Sequence, residues 1–194
     1  MKNHCVFAPF ALAIAAATAA SAGAQEVLTG DTRLACEATL CLATGTRPSE
    51  CSPSLSRYFS IHKRKWSDTV RARASFLSLC PVSDQTPEMR SLVNAMANGA
   101  GRCDAASLNV TLLVWNSWDA DGGKVLINNQ MPGYCVAYTG HQYTDLGDLA
   151  PRYVGTPERG GYWVDARDYN AAMARYNDRI ATQDSRRRND EWYR

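Results

Sequence analysis

The chain lacks the short signatures on which most catalytic readings rest. It has no Gly-x-Ser-x-Gly, no glycine-rich phosphate loop, no His-Glu-x-x-His and no Cys-x-x-Cys. These absences remove the nucleophile elbow of the α/β-hydrolases, the P-loop, the helical zinc-protease site and the thioredoxin-type redox pair. Histidine is scarce, three in the whole chain, so a histidine-based zinc site has no local spacing to build on. Neither sign of charge dominates: 21 Lys and Arg stand against 19 Asp and Glu, a net +2, which argues against a general nucleic-acid coat protein or an acidic tail protein. The longest strongly apolar run, Val6 to Ala20, falls short of the roughly 20 residues that span a bilayer. With 45% hydrophobic and 21% charged residues in 194, and no internal repeat or long linker, collagen, coiled coil and wholesale disorder are set aside.

What is present begins with seven cysteines, an odd number that the N-terminus explains. Lys2 and the amino terminus give positive charge, Val6 to Ala20 an apolar core, and Ala22-Gly23-Ala24 a small-x-small pattern. Together they predict a secretory signal peptide over residues 1–24, cut after Ala24. An uncleaved anchor is the alternative reading, and the short apolar run counts against it. Cys5 lies too early, and Cys36 too far from the apolar run, for a lipidated N-terminus. Removing residues 1–24 takes away Lys2 and Cys5, which leaves 170 residues, a net charge of +1 and six cysteines: Cys36, Cys41, Cys51, Cys80, Cys103 and Cys135. In an exported chain an even set is expected to form disulfides.

Residues 25–182 read as a single α+β domain, followed by a polar tail over 183–194. Asp31 is an expected N-cap for a helix with Leu34, Ala38, Cys41 and Leu42 on one face, closed by Gly45. On that helix Cys36 and Cys41 are separated by about 140° and about 7.5 Å of rise, beyond the roughly 7 Å Cα limit of a bridge, so they take different partners. A short helix is expected over residues 54–62. Another opens at Ser67 or Asp68, with Val70, Ala74, Leu77 and Cys80 inward and Pro81 as its end. Thr86-Pro87-Glu88 starts a fourth helix, stopped by Gly99 and Gly101. The pattern then changes. Asn109 to Trp115 and Val125-Leu126-Ile127, joined at Asp121-Gly122-Gly123, predict a hairpin. Tyr134, Val136 and Tyr138 alternate as in a strand, and Tyr153-Val154 and Tyr162-Trp163-Val164 supply further strands. Asp165 caps a closing helix striped by Tyr169, Ala172, Met173, Tyr176 and Ile180. The fold class is therefore α+β: a helix-rich, disulfide-stapled N-terminal half, a small antiparallel sheet and a closing C-terminal helix.

Five groups of residues invite a chemical reading. Ser117-x-Asp119-x-Asp121-Gly122 partly matches a calcium loop, but begins on Ser and reaches Asn128 where a bidentate Glu is needed, so a solvated turn is favoured. Glu37 and Glu50 are the candidate acids of an exported glycan-cleaving enzyme. Glu37 falls on the polar side of its helix and Glu50 in a proline-flanked turn, which favours plain surface positions. Tyr134, Tyr138, Tyr143, Tyr153, Tyr162 and Trp163 could line a glycan groove, although strand packing is the commoner use of such residues. The segment 47–73 carries Arg47, Arg57, Lys63, Arg64, Lys65, Arg71 and Arg73 against Glu50 and Asp68, a local +5. Its centre, Lys63-Arg64-Lys65-Trp66, is a candidate contact for an anionic partner, against the plainer reading of a solvated loop. Trp192-Tyr193, beside the run of arginines at 186–188, is a candidate docking tail, with helix-end packing as the competing reading.

Leu34-Ala35-Cys36-Glu37-Ala38-x-Leu40-Cys41-Leu42 resembles a known family. So do Arg47-Pro48-x-Glu50-Cys51-x-Pro53-Ser54-Leu55-x-Arg57-Tyr58-Phe59-x-Ile61 and Arg73-x-x-Phe76-Leu77-x-Leu79-Cys80-Pro81, with a weaker likeness through Arg102-Cys103-Asp104. The family is that of the TrbM/KikA conjugal transfer proteins. The resemblance implies an exported, periplasmic accessory protein of mating-pair formation, working alongside a type IV secretion apparatus. It implies disulfide staples at the six cysteines, and carries over no catalytic residue, cofactor or small-molecule substrate. The partners it implies are other conjugation or secretion components, with direct contact to nucleic acid or a membrane surface a secondary expectation. The rival expectations are an exported peptidoglycan hydrolase and a secreted toxin or inhibitor.

Overall fold

The computed structural model describes residues 28–116 and 123–192. The predicted signal peptide and cleavage site, Tyr193 and the calcium-like ligands Ser117, Asp119 and Asp121 lie outside the described residues. Seven α-helices are described: α1 (Gly30–Ala43), α2 (Cys51–Ser60), α3 (Trp66–Leu77), α4 (Pro87–Gly99), α5 (Ala105–Thr111), α6 (Gly133–Thr139) and α7 (Tyr169–Trp192). Four short strands, β1 (Leu113–Asn116), β2 (Lys124–Ile127), β3 (Pro151–Val154) and β4 (Tyr162–Asp165), form two separate antiparallel ribbons rather than one sheet. Leu113 faces Ile127 in the first ribbon, and Pro151 faces Asp165 in the second. The α+β class holds, with helices dominant.

The main core lies among α1 to α6. Ala35, Ala38 and Leu42 of α1 meet Tyr58, Phe76, Leu77, Leu92, Met96 and Leu108, and Trp163 reaches in from β4. The small alanines let α1 and α2 approach closely, so the larger side chains of α2 and α4 fill the space. A second cluster joins Val154 of β3 to Ala172 and Tyr176 of α7. It includes the whole predicted stripe, Tyr169, Met173 and Ile180 packing at its edge. Asn109 ties the two regions. Its amide donates to the Trp163 carbonyl at 2.8 Å and accepts from the Trp163 N–H at 2.7 Å, as a neighbouring strand would.

Several local expectations change. Tyr134, Val136 and Tyr138 belong to helix α6, not a strand. The buried pair is Cys135 and Tyr138, at helical i, i+3 spacing, while Val136 is exposed. Tertiary anchors decide this: Cys135 is bridged to Cys103, and the Tyr138 hydroxyl donates to the Leu42 carbonyl at 2.7 Å. Asn109 to Thr111 are likewise helical, because Asp104 caps α5 by accepting from the Ser107 N–H at 2.8 Å. The strand begins only at Leu113. On α3 the buried stripe is Thr69, Arg73, Phe76 and Leu77, one residue out of step with the expected Val70 and Ala74. Thr29 rather than Asp31 precedes α1, and Asp31 sits in the first turn. Gly45 does not cap α1. It follows an isolated parallel bridge between Thr44 and Asp145, its N–H donating to the Asp145 carbonyl at 2.8 Å. The Thr86 cap and Pro87 start are as expected, Thr86 accepting from the Met89 N–H at 3.2 Å. Beyond Gln183 the chain does not fray but continues as helix to Trp192, steadied by an Arg159–Asp184 ion pair.

Candidate functional site: a braced basic turn

All six cysteines after residue 24 are paired: Cys36–Cys80, Cys41–Cys51 and Cys103–Cys135. Cys36 and Cys41 take different partners, as helix geometry required. The first two bridges tie α1 to the end of α3 and to the start of α2. The third joins the α4–α5 turn to α6, so the stapling reaches past the N-terminal half.

The basic segment resolves into residues with different fates. Arg57 forms a two-pronged pair with Asp31, at 2.7 and 3.1 Å. That guanidinium hydrogen bond holds the Asp31 carboxyl below its usual range. Arg71 pairs with Asp68. Arg73 is buried and turns inward. Arg47 is exposed at a separate cleft, and in the turn between α2 and α3 Lys63-Arg64-Lys65 are all exposed. Among the described residues none of the three makes an ion pair within 4.0 Å.

This turn is held from beneath by two buried polar side chains of α3. The Thr69 hydroxyl accepts from the Lys63 N–H at 2.9 Å and lies 3.4 Å from the carbonyls of Lys63 and Lys65. Arg73 Nε donates to the Ile61 carbonyl at 3.2 Å, and its Nη1 to the Ala100 carbonyl at 3.4 Å. Its guanidinium also lies over Tyr58, Phe59 and Trp66, at 4.8, 5.5 and 5.4 Å from the ring centres. Arg102 lies over Trp66 at 4.5 Å and over Tyr134 at 4.1 Å. Two guanidinium groups thus crowd the Trp66 ring, and a ladder of arginines and aromatics runs from the turn to the Cys103–Cys135 bridge.

The other candidates are not gathered into a site. Glu37 is ion-paired with Arg33 at 2.7 Å, and Glu50 meets the Ser49 hydroxyl at 3.3 Å. The aromatics separate: Tyr138 is in the core, Tyr153 donates to the Ile127 carbonyl at 2.6 Å, Trp163 Nε1 donates to the Asn128 carbonyl at 3.0 Å, and Tyr143 is exposed beside His141. A cleft of about 380 Å³ does bring Arg47, Asp104 and Asp165 together around Tyr138. Asp104 is engaged as the α5 cap and Asp165 by Arg167 at 3.1 Å. Trp192 stands exposed at the end of α7.

A family model described as TrbM matches residues 27–177. The chain belongs to the TrbM family. TrbM proteins are associated with conjugal transfer, which makes this a conjugal-transfer-associated protein. Comparison with curated proteins and with solved structures gave no match. The TrbM match takes in all six bridged cysteines, the basic turn and its brace, and ends before the last turns of α7.

The brace itself, Thr69 and Arg73, went unread in the sequence, where Arg73 counted as part of the basic segment and of the family likeness but not as a buried group. A signal existed: Thr69, Arg73, Phe76 and Leu77 share one helical face. An arginine within an apolar stripe is a buried arginine in search of carbonyls. Also unread was the apolar surface of the first ribbon, where Leu113, Val114, Trp115 and Val125 are exposed.

Proposed function

We propose that this TrbM protein is exported to the periplasm through its N-terminal leader. There it supports plasmid transfer as a non-enzymatic accessory of mating-pair formation, contacting other components of the type IV secretion apparatus. One observation carries the reading: every cysteine left after the leader is closed into a disulfide, a chemistry favoured outside the cytoplasm. The leader pattern supports export independently. Among the described residues no helix is long and apolar enough to cross a membrane. The engagement of Glu37 and Glu50 as surface contacts favours interaction over glycan hydrolysis.

The test is a conjugative plasmid deleted for this gene. Transfer frequency is expected to fall, and to recover with the full chain but not with a chain lacking residues 2–24. Fractionation should place the complementing protein in the periplasm with no thiol open to alkylation. Full complementation by the leaderless chain would overturn export. Clearing of purified cell wall in zymograms by the parent protein, lost in Glu37→Gln or Glu50→Gln, would replace the accessory role with a hydrolase.

A further inference from the structure

We propose that the Lys63-Arg64-Lys65 turn is a docking point for the phosphate headgroups of an anionic phospholipid surface. The first ground is charge left over after local accounting. Arg57 and Arg71 are each paired with an aspartate and Arg73 is turned inward, yet three consecutive cations remain exposed without an ion pair among the described residues. The second ground is pre-organisation. A loose solvated loop needs no brace, but here Thr69, fully buried, and Arg73, 7% exposed, hold the backbone of residues 61–65. Burying a guanidinium is costly unless it is bonded, and here Arg73 holds the entry to the turn at Ile61 while Thr69 holds the backbone of Lys63 and Lys65. The third ground is a local electrostatic conflict. Lys65 occupies the N-cap position of α3, where no side-chain cap bond is made and the helix dipole is positive. The first-turn acid, Asp68, is already taken by Arg71. An external anion relieves that conflict.

The form of the site favours a membrane surface over a nucleic acid. Single strands are held by a basic track and free aromatic faces. Here the track is cut on both sides by the Asp31 and Asp68 pairs, and the Trp66 ring is crowded by Arg73 and Arg102. What remains is a compact basic point beside two partly exposed aromatics, Phe59 and Trp66, each 36% exposed. Basic residues beside an amphipathic tryptophan and an apolar phenylalanine suit the boundary of the headgroup layer. The inference goes beyond the accessory role and is measured without it.

The experiment is flotation of the disulfide-intact chain, residues 25–194, with vesicles of equal parts phosphatidylglycerol and phosphatidylcholine, and with phosphatidylcholine alone. The parent is expected to float with the anionic vesicles only, and to be released by salt. The triple variant Lys63→Ser/Arg64→Ser/Lys65→Ser should bind about a hundredfold more weakly, at about fivefold per charge. The charge-matched control Arg186→Ser/Arg187→Ser/Arg188→Ser should bind like the parent. Thr69→Val, which keeps every charge but loosens the turn, should bind more weakly than the parent, with its circular dichroism unchanged. Failure of the parent to float, or equal loss in the two triple variants, overturns the proposal. Displacement by millimolar inorganic phosphate would reassign the turn as a free-anion site. Tighter binding of a single-stranded oligonucleotide than of vesicles, lost in the turn variant, would reassign it to nucleic acid.

Discussion

The guanidinium carbon of Arg102 lies 4.1 Å from the centre of the Tyr134 ring, and each residue directly precedes one half of the Cys103–Cys135 bridge. The covalent bond and the stack therefore work on the same junction between the α4–α5 turn and α6. The bridge restricts the unfolded chain, while the stack fixes side-chain positions in the fold. The same Arg102 passes the contact on to Trp66 at 4.5 Å.

The three bridges should differ in what they contribute. The chain-entropy estimate is about 4 kcal/mol for Cys36–Cys80, about 3.7 for Cys103–Cys135 and about 2.7 for Cys41–Cys51, following their sequence separations of 44, 32 and 10. Paired Cys→Ala variants, unfolded in urea, should rank in that order. The Cys103→Ala/Cys135→Ala variant should in addition lose tryptophan environment at Trp66, read by near-ultraviolet circular dichroism. Retention of that signal would show that the Arg102 stack stands without the bridge.

Among the described residues Arg73 is a buried charged side chain and should be sensitive to substitution. Arg73→Met removes the bonds to the Ile61 and Ala100 carbonyls. The expected loss is about 2–4 kcal/mol, one to two unmet carbonyls' worth. Arg73→Lys should not recover it, because a single ammonium cannot reach both carbonyls and also lie flat against the surrounding rings. Urea unfolding of the two variants checks this; a fully stable Arg73→Lys would refute the need for the planar group.

Alkaline stability should depend on buried phenols. Burial pushes the Tyr138 hydroxyl up to about 12, with Arg47 opposing, and Tyr153 up to about 12, with Glu158 adding to burial. Burial pushes Tyr58 higher still. An unfolded tyrosine ionises near pH 10. Between about pH 10 and 12 the unfolded chain loses protons that the folded chain keeps, so stability is full below pH 10 and falls as pH rises. Tyr138→Phe should flatten that fall while costing about 1 kcal/mol at neutral pH, since the Leu42 carbonyl loses its donor. Unfolding measured at pH 8 and pH 11 tests both signs.

Two glycines should not tolerate a methyl group. A Cβ on Gly45 would stand 1.9 Å from the Leu146 carbonyl oxygen, which is backbone and cannot swing away. A Cβ on Gly155, at φ +74°, would meet the Tyr176 ring at 2.1 Å. Gly45→Ala should loosen the Thr44–Asp145 bridge, and Gly155→Ala should lift α7 from β3. Losses of about 2–3 kcal/mol are expected. Hydrogen exchange should locate the first at residues 43–46 and the second along α7; protection like the parent's would reject the clash.

Helix existence was legible wherever a cap and an apolar stripe coincided, as at Thr86-Pro87 and along Tyr169 to Ile180. The reading failed where a short segment was decided by distant contacts. Tyr134 to Tyr138 alternates like a strand, yet a bridge to Cys103 and a hydrogen bond to Leu42 make it a helix. Propensity over five residues is worth less than one buried anchor.

The sequence by itself determined the leader pattern, the even cysteine set, the separate partners of Cys36 and Cys41, the α+β class and the likeness to TrbM. Each depends on neighbours within a few residues or on counts, which local sterics and periodicity govern. The tertiary structure alone decided the disulfide pairing, the second ribbon's tie through Asn109, and the division of seven cations into paired, buried and exposed. Those depend on which side chains meet across tens of residues, and so on how the whole core packs. A run of basic residues states how much charge there is; only the fold states which charges are already answered.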